Sequence, residues 1–155
     1  MATEKWIAGS GAGFTWTTAA SSGTLASLAS GNAILGDVSI TNQTALDVFA
    51  DVDLILASAA FVAPNYVGVY LYPLGSDGTS YGDGRFGTAA TGPAGPNYFV
   101  GMIGLVAATQ AQTGQLTGIR IPPGTFKFVL FNNGGVNWSS GVNTLKYRTY
   151  NLSIA

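Results

Sequence analysis

The chain has 155 residues, of which 47% are hydrophobic and 8% charged, where an ordinary soluble domain carries about 25% charged residues. Six Lys and Arg stand against seven Asp and Glu, with no Cys and no His. That composition excludes disulfides, Cys-ligated metals and thiol or histidine catalysis, and it leaves too few basic residues for a phosphate-neutralising nucleic-acid face.

In chain order, residues 1–10 carry Glu4, Lys5 and Trp6 without the apolar run of a secretory signal, so the reading is synthesis in a cytoplasm with no export address. Residues 8–32 are rich in Gly, Ser, Thr and Ala. They are expected to form an extended arm, bounded at 1–32, or a loosely packed first strand at 13–18. A short helix is predicted at 24–30, ended by Gly31.

A weak strand is predicted at 33–41, closed by the polar pair Asn42 and Gln43. Beyond it, Val48, Ala50, Val52, Leu54 and Leu56 alternate with Asp51 and Asp53, the period of a half-buried strand. The apolar run at 54–63 is far shorter than the ~20 residues of a bilayer span, so no membrane crossing is expected. Val67, Val69 and Leu71 alternate with Tyr66, Gly68, Tyr70 and Tyr72 in the next strand. Residues 75–97, studded with Gly and Pro, read as a loop too long for a hairpin, and such loops commonly serve binding.

Weak strands follow at 98–107 and 115–121, and Pro122, Pro123 and Gly124 form a turn. Phe126, Phe128 and Leu130 alternate with Lys127, Val129 and Phe131. A loop at 132–143 opens with Asn132, Asn133, Gly134 and Gly135, a strong turn signal. In the last strand Lys146, Arg148 and Tyr150 alternate with Leu145, Tyr147 and Thr149. About eight antiparallel strands with minimal helix predict one all-β domain over 1–155, a β-sandwich of jelly-roll type.

Chemistry-bearing candidates are few. Asp51 and Asp53 share one strand face and have the residue types of a glycosidase pair, but a solvated strand face explains them more simply. Asp77 and Asp83 lie in a Gly-rich segment with several hydroxyls. That is a weak calcium candidate, since aspartate followed by glycine is also ordinary turn chemistry. No cofactor and no enzymatic activity are expected. The aromatic residues Trp6, Tyr70, Tyr72, Tyr81, Phe86, Tyr98 and Trp138 are the candidate contacts for a partner or ligand. A surface so poor in charge is expected to be covered by copies of itself, as a homo-oligomer such as a trimer, or by a larger assembly.

Four stretches carry a family likeness: MATEKW (1–6), YVGVYLYPLGSDGTSYGD (66–83), IPPGTFKFVLFNN (121–133) and KYRTYN (146–151). They resemble small all-β virion structural proteins of tailed bacteriophages. The resemblance implies a virion component, either a capsid decoration protein or a tail or head-fibre accessory, in contact with the major capsid or tail protein. It supplies no catalytic residue. The alternative expectation is a carbohydrate-binding module for host-surface glycans, with Tyr70, Tyr72, Tyr81 and Trp138 as stacking platforms and Asp77 or Asp83 fixing hydroxyls or Ca²⁺.

Overall fold

The computed structural model describes residues 4–9, 14–62, 65–82, 90–92, 95 and 98–154. Its elements run β1 Glu4–Ala8, β2 Thr17–Ala20, the one-turn helix α1 Ser22–Leu25, β3 Asn32–Leu35, β4 Ile40–Asn42, β5 Phe49–Ala60, β6 Tyr66–Pro73, β7 Ala90–Thr91, β8 Phe99–Gly104, β9 Thr109–Arg120, β10 Gly124–Asn133 and β11 Thr144–Ile154. No helix among the described residues is long and apolar enough to cross a membrane.

Two antiparallel sheets face each other. One has the order β1-β11-β5-β9, with β2 beside β1 along β11, and the other has the order β7-β3-β10-β6-β8, with β4 beside β3 along β10. The chain changes sheet between β2 and β3, β4 and β5, β5 and β6, β8 and β9, β9 and β10, and β10 and β11. That alternation, with the strand order, is the jelly-roll form of the β-sandwich.

The period-two pattern builds the core directly. Ala50, Val52, Leu54 and Leu56 of β5 meet Val67, Val69 and Leu71 of β6 and Phe126, Phe128 and Leu130 of β10, all buried in one cluster. Trp138, Leu25 and Leu28 close one end of that cluster, and Ile40, Ile119 and Ile121 the other.

Several boundaries differ from the sequence reading. The strand expected at 33–41 is two strands, β3 and β4, which pair with successive parts of β10. The strand expected at 115–121 begins earlier, at Thr109, because its Thr and Gln residues carry no apolar signal although they pair with β5, with one irregularity between Leu56 and Ala59. Residues 17–32 are not an arm. Ala19, Ala20, Leu25 and Leu28 are core residues, and β2 pairs with β11. The helix is shorter than expected and begins two residues earlier.

Val48 lies outside the core, since β5 starts after it and its backbone N–H donates to Asn151 Oδ1 at 2.8 Å.

A second cluster covers the outer face of the β6–β10 sheet. Ala33, Tyr70, Tyr72, Val129 and Phe131 are buried there, with Leu35, Tyr66, Tyr81 and Tyr98 packed on them. The chain after β6 folds back over these rings. Gly82 N–H donates to Pro73 O at 2.9 Å, and a Cβ at Gly82, with φ of 59°, would run into the Tyr72 ring. The Tyr72 ring lies tilted against that of Tyr98, with centroids 4.5 Å apart, and its hydroxyl accepts from Gly95 N at 3.2 Å.

Candidate functional site

On the outer face of the other sheet, strand register places Phe49 beside Tyr150, Asp51 beside Arg148 and Asp53 beside Lys146. Strand β9 is bulged opposite Asp51. Ala50 pairs with Ile119 and Val52 with Leu116, so Thr117 and Gly118 together oppose one residue. The bulge needs Gly118 at φ of 70°, a region glycine enters without penalty. It turns the Gly118 N–H onto Asp51 Oδ1 at 3.0 Å.

Tyr150 donates its hydroxyl to the same oxygen at 2.9 Å. Arg148 donates from Nε at 2.9 Å and from Nη2 at 2.8 Å to Oδ2. Four donors thus hold a carboxylate that is 4% exposed. The Arg148 guanidinium lies 4.7 Å from the Trp16 ring centroid and 5.8 Å from that of Phe14. Tyr150 meets the edge of Trp6 at 5.0 Å and stacks on Phe49 at 5.7 Å.

These groups surround a groove of about 560 Å³ lined by Trp6, Phe14, Asp51, Thr117, Gly118, Arg148 and Tyr150. Trp6 and Phe14 are 57% and 46% exposed. With both carboxylate oxygens of Asp51 taken by fixed donors, the arrangement is suited to positioning and holding a ligand. Asp51 is therefore not the solvated-face residue expected from alternation. It shares a face with Asp53 as expected, but its charge is spent on Arg148.

Burial pushes the Tyr150 hydroxyl above its ordinary range, and the hydrogen bond to Asp51 and the charge of Asp51 add to the effect. Burial raises Tyr70 and Tyr147 as well. A raised phenol pKa means the folded state holds these protons more tightly than the unfolded chain. Their contribution to stability is then complete below about pH 10, where free tyrosine titrates, and is lost as pH rises through the folded values. Melting temperature should fall above about pH 10, and Tyr150→Phe should make that fall shallower. A melting series against pH, read by circular dichroism, checks both; an equal slope in the variant would remove Tyr150 from the account.

Of the residues singled out in the sequence, Trp6 stands at this groove. Tyr72 is 0%, Trp138 2% and Tyr70 6% exposed, so none is a surface platform. Tyr70 and Tyr72 lie under the returning chain, and Trp138 points into the core from the loop between β10 and β11. Tyr81 and Tyr98 are half-buried against the tyrosine cluster. Tyr81 shares a 2.7 Å hydrogen bond with Ser39 Oγ and lies under Lys127 Nζ at 5.0 Å. Phe86 and Asp83 lie outside the described residues.

Asp77 closes a turn, accepting from Thr79 N at 3.0 Å and Ser80 N at 2.9 Å. The Ser80 hydroxyl first, and then these two amides, hold its carboxyl far below the usual carboxylate range. Among the described residues no three His, Cys, Asp or Glu side chains are grouped to hold a metal ion.

Sequence reasoning missed Phe14, Trp16, Thr117, Gly118, Arg148 and Tyr150 as a set. Arg148 and Tyr150 were legible as the polar side of the last strand. Their union with Phe14 and Thr117 depends on pairing across the sheet. Fold and groove together define a jelly-roll β-sandwich with an aromatic-rimmed cleft on one outer face. No protein-family model matches the chain, and no curated protein matches it in sequence.

Proposed function

We propose that this protein is a non-enzymatic structural component of a phage particle, a decoration or fibre-type accessory protein that binds the particle surface and associates with copies of itself. The observation that carries the reading is one side of the sandwich. There β8, six residues long, and β9, twelve residues long, end their sheets, and Arg120 is the single ionisable side chain on either strand.

Monomers block such edges with lysine, proline or inward-pointing charge. Neither strand carries a lysine or proline, Arg120 is the one charge and bulges are the remaining guard, while the large apolar side chains of Phe99, Met102 and Val106 are exposed on and beside β8. Edge N–H and C=O groups along strands with so little charge pair readily with the matching edge of a second copy. Repetition of a standard interface of roughly 1,600 Å² then holds an assembly without a high pairwise affinity. The jelly-roll fold agrees with the resemblance to virion proteins but does not by itself name a function.

The substitutions Met102→Lys and Thr113→Lys, both at exposed positions, place charge along this side. The unaltered chain should be oligomeric by light scattering and native mass measurement, and the double variant should be monomeric with its melting temperature little changed. An unaltered chain that stays monomeric at millimolar concentration removes the self-association. Absence of the chain from intact particles encoded with its gene removes the virion assignment.

A further inference from the structure

We propose that the groove on the outer face of the β1-β11-β5-β9 sheet is a binding site for a neutral saccharide. The inference does not rest on self-association, although Thr117 and Gly118 of β9 line the groove and β9 is also one of the two edge strands of that contact. It differs from the sequence-based expectation of a glycan module in its residues, because the tyrosines of β6 and Trp138 are buried.

Charge selects the ligand class. Arg148 and Asp51 form a closed ion pair at 2.8 Å, and Asp53 and Lys146 are cross-strand neighbours beside it. Among the described residues that line it, the groove therefore carries no uncompensated charge, so neither a phosphate nor a cation gains by entering. Its volume of about 560 Å³ falls within the roughly 300–1,000 Å³ of small-ligand sites.

The walls have two kinds of surface. Trp6 and Phe14 offer exposed aromatic rings against which the apolar C–H face of a pyranose ring can lie. Around them are hydrogen-bonding groups that match ring hydroxyls. A guanidinium carries five N–H donors, and Arg148 spends two of them on Asp51, leaving three. The Thr117 hydroxyl stands on the bulge beside it. A drier partner such as a protein side chain would leave those donors unpaired, at a cost in affinity.

The site is also set before binding. The bulge at Gly118, the Asp51 carboxylate and the Phe14 and Trp16 rings hold the Arg148 side chain in place. A ligand then spends little on ordering it. A buried ion pair adds little net stability, so its presence in a chain with so few charges fits a binding role better than a structural one.

The test is an array of neutral and anionic glycans, with and without EDTA, followed by calorimetric titration of the best neutral oligosaccharide. Saturable binding is expected, insensitive to EDTA and changing little with salt. Trp6→Ala and Phe14→Ala, at exposed positions, should each weaken it about tenfold. Thr117→Phe, which fills the groove and removes no wall, should abolish it while the protein still melts as a folded chain. Absence of binding to any neutral glycan at millimolar concentration overturns the proposal. So does binding unaffected by Thr117→Phe, or a preference for sulfated or sialylated ligands. Protection of Trp6 only on oligomerisation would show that a second copy fills the groove and would likewise overturn it.

Discussion

Trp138→Ala lowers the free energy of unfolding by about 3–5 kcal/mol, the cost of deleting a large aromatic from a packed core. Trp138 is 2% exposed although it sits in a loop. Its backbone N–H donates to Leu28 O at 3.0 Å, and its ring belongs to the central cluster with Leu25, Leu28 and Leu145. Two buried asparagines fix the loop around it. Asn132 donates to Leu28 O and Val136 O, both at 2.9 Å. Asn143 donates to Ser139 O at 2.8 Å and accepts from Ala57 N at 2.8 Å.

The backbone therefore cannot collapse into the space alanine would leave, and the cavity term is retained. Trp138→Phe should cost far less, because Trp138 Nε1 is buried without a hydrogen-bond partner and its removal relieves an unmet donor. Urea denaturation gives both values, and a chain of this length should lose about 10 °C in Tm for the alanine variant. A loss below about 1 kcal/mol for alanine would mean that the ring does not fill the core.

The second large effect is at the ion pair. Arg148→Met should destabilise by about 3 kcal/mol, the low end for breaking a buried pair, because the Arg148 side chain keeps 30% of its exposure. The loss leaves Oδ2 of Asp51, a residue 4% exposed, without its two donors. The single change Asp51→Asn is also costly, since an amide group then faces the guanidinium. Together the two changes remove both charges, and the double variant should recover much of the loss. The double-mutant cycle should depart from additivity by more than about 1 kcal/mol. Additive effects, each below about 1 kcal/mol, would put the pair in the class of exposed surface bridges.

The period-two alternations were legible because the pleat imposes them. Val67, Val69 and Leu71 had to share one face whatever the fold, and so did Phe126, Phe128 and Leu130. The turn at Pro122 and Pro123 was legible for the same local reason, since proline has no N–H for a central ladder. Alternation does not say whether the other face meets water. Tyr70 and Tyr72 stand on the side away from the core, as the sequence implied. They are buried because Gly82, Gly95 and Tyr98 return over them, which the strand pattern does not encode.

The candidate site was the least legible feature. Its members come from positions 6, 14, 51, 117, 118, 148 and 150, brought together by pairing of β1, β11, β5 and β9 and by the segment between β1 and β2 that carries Phe14. The carboxylate that a strand pattern assigns to solvent is buried because a bulge in one neighbour and an arginine on the other enclose it.

From the order of its residues alone this chain was bound to make short amphipathic strands broken by Gly, Pro and Asn turns, since side-chain alternation and backbone sterics act over a few residues. Which outer faces are covered, which aromatics reach water and where a charge pair is held were decided by the packing of the two sheets. Each of those outcomes depends on contacts between segments far apart in the chain, such as Asn143 with Leu25, separated by 118 positions, and no local pattern carries that information.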